Sequence, residues 1–183
     1  MKKIILILLL SISYVSYSQT FEGLKIGGNI ETFISSMKAK KYSFLKWGLP
    51  NVAIMTGNVG NEQVEVFISC TPVSKQVKSL NIFFDERNTW DKLKSNYDEI
   101  VLLFTNKYGT PDDVYETFID KSIPEIEAIE NDRATFSRYW WAKNGTNLSV
   151  QISKYKQVKI VYESMENTAL SETEENNIKK SKF

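Results

Sequence analysis

Five acids, Asp120, Glu125, Glu127, Glu130 and Asp132, crowd the run DKSIPEIEAIENDR, residues 120–133. A calcium site would need several of those oxygens to converge on one point. The run has no alternating-Asp loop with a turn glycine, and helical spacing splays its carboxylates apart. A solvated helix face is therefore the favoured reading over an ion site. Glycoside hydrolysis would need two acids held several ångströms apart in a cleft, and no spacing in the chain picks out such a pair. The thiol of Cys70 continues the apolar face of VEVFIS, residues 64–69, so a buried, inert thiol is expected. The glycine-rich GNVGN, residues 57–61, lacks the following helix and Lys of a phosphate-binding loop and reads as a hairpin turn. The chain has no histidine and one cysteine. That excludes Ser-His-Asp and Cys-His catalysis, histidine-ligated zinc, cysteine-ligated zinc or iron–sulfur sites, and an internal disulfide. No cofactor and no metal are implied, and no catalytic residue is assigned.

The other chemistry-bearing run is aromatic: RYWWAKNGTNLSVQI, residues 138–152. Leu148, Val150 and Ile152 alternate with Asn147, Ser149, Gln151 and Ser153, so the apolar three face the core. Asn144-Gly145 is a strong signal for a two-residue type I′ hairpin. That loop sets Trp141 opposite Leu148 and Tyr139 opposite Val150, both inside, and turns Trp140, Arg138 and Phe136 outward. A three-residue loop, Lys143 to Gly145, flips the strand and buries Phe136, Trp140 and Arg138 instead. The aromatic gain nearly cancels between the two registers. The three-residue loop also puts an Arg in the core, which costs several kcal/mol unless it is paired. The two-residue loop is preferred. It makes Trp141 the structural residue and Trp140 the surface one.

The elements that must position these side chains follow from periodicity. Residues 29–41 read as a helix capped by Asn29, with Ile30, Phe33, Ile34 and Met37 in one stripe. Residues 89–108 read as a second helix, with Trp90, Leu93, Tyr97, Ile100, Phe104 and Tyr108 at 3.6 spacing. It is capped by Asn88 or Thr89 and stopped by Gly109 and Pro111. Strand-like segments follow each helix, at 42–47, 51–57, 64–71 and 77–84, then at 112–118, 135–143, 147–155 and 158–163. A short helix over 123–130 interrupts the second set, with Ser122 and Glu125 at capping-box spacing and Ile126 and Ile129 inward. The result is an α+β fold: an antiparallel sheet with helices on one face and a tandem α-β-β-β-β pattern. The side-chain identities barely repeat, so duplication is inferred from the pattern alone. The expected halves span about 24–88 and 89–163, and 164–183, with few apolar residues, reads as a flexible polar tail.

On this fold the sheet face away from the helices would carry Phe67, Phe83, Phe136 and Trp140 with Arg138, an aromatic surface with one guanidinium. Contiguous exposed aromatics with Arg mark binding surfaces. Against this stands the plainer reading that these residues are scattered, or covered by the insertion or the tail.

At the chain start, Lys2 and Lys3, the apolar run Ile4–Leu10, and Ser16 and Ser18 before Gln19 match a secretory signal peptide over 1–18. The run is well short of the roughly 20 residues that cross a bilayer. A periplasmic or extracellular protein without lipid anchor or transmembrane segment is expected. Taking Lys2 and Lys3 from the 23 basic side chains leaves 21 against 22 acidic, a formal charge of −1. That gives no support to nucleic acid or anionic membrane as partner. About 165 residues would then form a single domain.

The chain resembles a group of uncharacterised small exported proteins of Bacteroidota. The matching stretches are LKIGGNIETFISSMKAKKY, WDKLKSNYDEIVLLFTNKYGTPDDVYETF, WWAKNGTNLSVQI and VKIVYES. The resemblance implies fold and export and assigns no activity. The helix-then-four-strands doubling is similar to the β-lactamase-inhibitor protein, whose open sheet face grips its target. KYGTP closing a helix is similar to outer-membrane assembly lipoproteins of the BamE type. The chain lacks the disulfides of the first and the lipid-bearing Cys of the second. The expected function is non-enzymatic binding of a protein or glycan of the cell envelope through the open sheet face. The alternatives are a small carboxylate hydrolase or a glycan or small-molecule binder.

Overall fold

The structure is a computed structural model, and it describes residues 19–141 and 145–182. The expected signal peptide and the Lys143-Asn144 part of the expected turn lie outside those residues. A two-residue ribbon, β1 (Thr20–Phe21) with β2 (Leu24–Lys25), opens the described chain. Then come α1 (Ile30–Ala39), β3 (Ser43–Trp47), β4 (Val52–Val59), β5 (Glu62–Cys70) and β6 (Val77–Phe84). The second half repeats the order with α2 (Trp90–Tyr108), β7 (Asp113–Phe118), β8 (Ala134–Trp140), β9 (Thr146–Ile152) and β10 (Val158–Ser164). The short α3 (Glu125–Glu130) sits between β7 and β8, and α4 (Met165–Lys180) closes the chain.

The α+β expectation holds. Eight strands form one antiparallel sheet in the order β3-β4-β5-β6-β10-β9-β8-β7. Each half is a four-strand meander, and the two fourth strands, β6 and β10, pair in the middle with Ile160 opposite Ile82 and Tyr162 opposite Leu80. The halves are thus joined through equivalent strands, as an internal two-fold arrangement requires.

Local chemistry explains the helices. In α1 the Asn29 side chain accepts from the Glu31 amide at 2.9 Å, and Ile30, Phe33, Ile34 and Met37 are all buried. Each such burial contributes about 1.5–3 kcal/mol. Together they outweigh the modest helix cost of Thr32, Ser35 and Ser36, whose propensity penalties stay below about 0.7 kcal/mol each. In α2 the buried side is Leu93, Asn96, Tyr97, Ile100 and Val101, and Gly109 ends the helix at φ 91°, where a side chain would be strained. The turn after β4 is Gly60-Asn61, with Val59 opposite Glu62, so GNVGN does make a hairpin. Cys70 is a buried free thiol, and burial pushes its pKa up. In α3, Ala128 and Ile129 are buried, but Ser122 bonds Asp120 rather than capping the helix.

The polar-tail reading of 164–183 is corrected. Residues Met165–Lys180 form a helix whose Ser164 cap accepts from Asn167 N–H. Asn167, Leu170, Ser171, Glu174 and Ile178 share one stripe, and this stripe is held by polar bonds rather than apolar burial. Asn167 donates to the Val77 carbonyl, Lys78 donates to Ser171, and the Glu174 carboxylate accepts from the Val73 and Ser74 amides. Thr168 also donates to Glu163, which alternates with the core-facing Tyr162. The helix therefore approaches the end of β6 and β10 from the face opposite α2, so helices are not confined to one face as expected.

Candidate functional site

The hairpin of β8 and β9 decides the site, and its register is the one not preferred from the sequence. Trp140 lies opposite Leu148, Arg138 opposite Val150 and Ser137 opposite Gln151. Three of the five expected binding residues, Trp140, Arg138 and Phe136, consequently point to the helix face, and the expectation that they form part of the open face is corrected. Trp140 is 2% exposed and Phe136 is buried too. The Trp140 indole N–H donates to the Gly109 carbonyl at 2.8 Å, satisfying the end of α2, and its ring lies 6.0 Å from Phe104. Phe136 packs edge-on against Trp90, Tyr97 and Phe118.

The physical reason is a partner for Arg138. Its Nε donates to Glu116 Oε1 at 2.6 Å, and the Tyr97 hydroxyl donates to the same oxygen at 3.0 Å. Glu116 projects inward from β7 between Val114 and Phe118, so the guanidinium enters paired and the desolvation cost that argued against this register is offset. Burial alone would raise the Glu116 pKa, but bonds from Arg138 and Tyr97 outweigh it and hold the carboxyl below its usual range. Burial first, and then Glu116, pushes the Tyr97 phenol far up.

The opposite face inherits the odd-numbered partners. Tyr139 lies opposite Ser149 and Asp113, and Tyr115 lies opposite Ser137. Trp141 is 47% exposed and Tyr115 53%. The three rings form one cluster: Tyr139 stacks on Trp141 at 5.1 Å and 16°, and Tyr115 meets Tyr139 edge-on at 5.9 Å. Trp141 is fixed twice. Its backbone N–H donates to Asp112 at 2.8 Å and its indole N–H donates to Asp113.

Phe67 and Phe83 do lie on this face, in edge-to-face contact at 5.2 Å and half-buried. Between them and the Tyr139 cluster runs a low polar floor. One row crosses the sheet as Phe67, Asn81, Val161, Ser149 and Tyr139; the next crosses as Phe83, Lys159, Gln151, Ser137 and Tyr115. Gln151 Nε2 donates to Ser149 Oγ at 2.8 Å. The two aromatic walls stand three strand spacings apart, about 14 Å, and α4 borders the face at Glu163. It is a trough with aromatic sides, in whose floor Asn81, Gln151 and Lys159 are half-buried and the hydroxyls of Ser137 and Ser149 are buried.

The helix face has its own concavity, a cleft of about 690 Å³ where the halves meet, bounded by the β1–β2 ribbon, the β4–β5 turn and α2. Its floor is Phe21, Phe84, Ile160 and Tyr162, each 5% exposed or less. The uncovered apolar surface of the cleft lies at its rim, where Leu103 is 61% exposed and Val59 and Phe104 are half-buried. Of the acids at its rim, Glu62 is committed to Arg87 at 2.6 Å and Asn96 at 3.0 Å. Among the described residues no three carboxylate or thiol groups come together as a metal site would need.

Tyr115, Tyr139, Trp141 and Lys159 were missed as site residues. The signal was present in DVYETF, where the inward pattern Val114, Glu116, Phe118 supplies an acid facing Arg138. Comparison with protein-family models, with curated proteins and with solved structures finds no match for this chain. What defines it is its own geometry, an eight-stranded α+β sheet with one helix-packed and one largely open face. Among the described residues no helix is long and apolar enough to cross a membrane.

Proposed function

We propose that this chain is an exported, non-enzymatic binding protein that holds an extended polysaccharide strand in the trough of the open sheet face. One observation carries the reading: the Tyr115–Tyr139–Trp141 cluster, in which Trp141 and Tyr115 are exposed and Trp141 is held by Asp112 and Asp113, beside the half-buried carboxamides of Gln151 and Asn81. The C–H face of a sugar ring packs on a flat aromatic face, while its hydroxyls exchange hydrogen bonds with small polar side chains. A ring fixed before binding loses little freedom on binding, so its contact energy is not spent on ordering. The core of a protein interface is depleted of charged residues, and here the centre of the face carries Lys159 beside Val161, Asn81 and Gln151. Export is part of the proposal and rests on the signal-peptide pattern of residues 1–18.

The test is affinity electrophoresis of the chain from Gln19 onward through gels containing a panel of cell-wall and capsular polysaccharides. At least one polysaccharide should retard the wild type and leave Trp141→Ala unretarded. Wild-type mobility unaltered across the panel, or equal retardation of the variant, would sink the proposal.

A further inference from the structure

Lys159 sits in the floor of the trough, on the central strand β10, opposite Phe83 on one side and Gln151 on the other. It is half-buried, its ammonium lies 5.9 Å from the Phe83 ring centroid, and no carboxylate of the described residues forms an ion pair with it. The acids sharing its face are otherwise placed or engaged. Glu65 stands two strands away, Asp113 holds Trp141, Glu163 accepts from Thr168, and Asp85, just past the end of β6, is exposed and makes no ion pair with it. The only influence moving its pKa is burial, which lowers it. A cation taken partly out of water without a counter-charge costs free energy, and one ring contact returns only about 0.5–1 kcal/mol. The position is therefore unfavourable in the free protein, and an incoming anion would relieve it. The other lysine whose pKa shifts, Lys156, is met by both Glu86 and Glu130.

We propose that the strand held in the trough bears negatively charged sugar units, carboxylate or sulfate ester, and that Lys159 is the residue that selects them. This rests on the polysaccharide reading above. The aromatic walls would supply affinity for sugar rings in general, and Lys159 the choice between charged and neutral ones.

The experiment uses polymers matched in backbone and differing in charge: polygalacturonate against its methyl ester, and dextran sulfate against dextran. Binding of each is measured by calorimetry for wild type, Lys159→Gln, Lys159→Arg and Trp141→Ala, with a thermal melt on every variant. In at least one pair, wild type should bind the charged form about tenfold more tightly, as for a hydrogen bond to a charged group. The pair showing the preference identifies the anion. Lys159→Gln should bind charged and neutral forms alike, and Lys159→Arg should keep the preference. Equal wild-type binding of both members of each pair, or a preference surviving in Lys159→Gln, overturns the role of Lys159 and leaves the trough standing. Should Lys159→Gln fail to fold, Lys159→Met takes its place as the variant without the charge, with the same expected and overturning results. Absence of binding to all four polymers, with no retardation in the wider panel, removes the polysaccharide reading as well.

Discussion

The two faces of the sheet are built from the same strands and use aromatic residues in opposite ways. On the helix face, Trp140 and Phe136 pack against Phe104 and Tyr97 of α2, and the floor of the cleft between the halves is already out of water. On the other face, Trp141 and Tyr115 keep about half their surface exposed although hydrogen bonds and stacking fix the platform in place. Concavity alone would have favoured the cleft. The two differ in what stays in water: the cleft exposes aliphatic Leu103 at its rim, and the trough exposes the fixed aromatic rings of Trp141 and Tyr115.

The sharpest way to break this comparison is to truncate the adjacent tryptophans in turn. Trp140→Ala should cost about 3–5 kcal/mol, because it opens a cavity and orphans the Gly109 carbonyl. Urea denaturation measures it, and a loss under about 1 kcal/mol would mean that Trp140 is not core. Next in size is Arg138→Met. Its partner Glu116 would stay in the interior without a counter-charge, costing about 2 kcal/mol, below the range for a fully buried pair because both side chains retain some exposure. Adding Glu116→Gln should restore part of that loss, and a double variant no better than the single would show that the pair is not what holds this register.

A smaller effect follows from pH. The Glu116 carboxyl has a lower pKa folded than unfolded. Its contribution is therefore present above the unfolded carboxylate pKa, about 4.3, and is lost as pH falls through the depressed folded value. Glu116→Gln should flatten this part of the acid limb in denaturation midpoints against pH; an unaltered limb would assign acid sensitivity to other groups. The smallest truncation effect belongs to Trp141→Ala, about 1 kcal/mol for the lost stacking on Tyr139 and the lost bond to Asp113, accompanied by loss of polysaccharide binding. A large destabilisation there would erase the distinction between the faces.

Much of the frame was legible. The stripe of α1, the span of α2 and the alternation of β5, β9 and β10 depend on neighbours a few residues away, so periodicity reads them directly. The site was only half legible. Phe67 and Phe83 belong to strands whose apolar partners are unambiguous, and they lie on the expected face. Trp140 and Phe136 belong to a strand with aromatics on both sides, where apolar burial nearly cancels between registers and the choice falls to one charged residue. The α4 helix was illegible for a related reason. Its stripe is mostly polar, and Glu174 finds its amide partners at Val73 and Ser74, about a hundred positions earlier.

By itself the sequence determined that Trp140 and Trp141 face opposite ways, because strand geometry alternates whatever surrounds it. It also determined that no histidine or cysteine-pair chemistry is available. Tertiary structure alone decided which tryptophan is buried. Arg138 can turn inward only because β7, on the outer edge of the sheet, brings Glu116 within 2.6 Å of it. An ion pair formed on folding depends on where two strands meet, and no local pattern in either strand contains that.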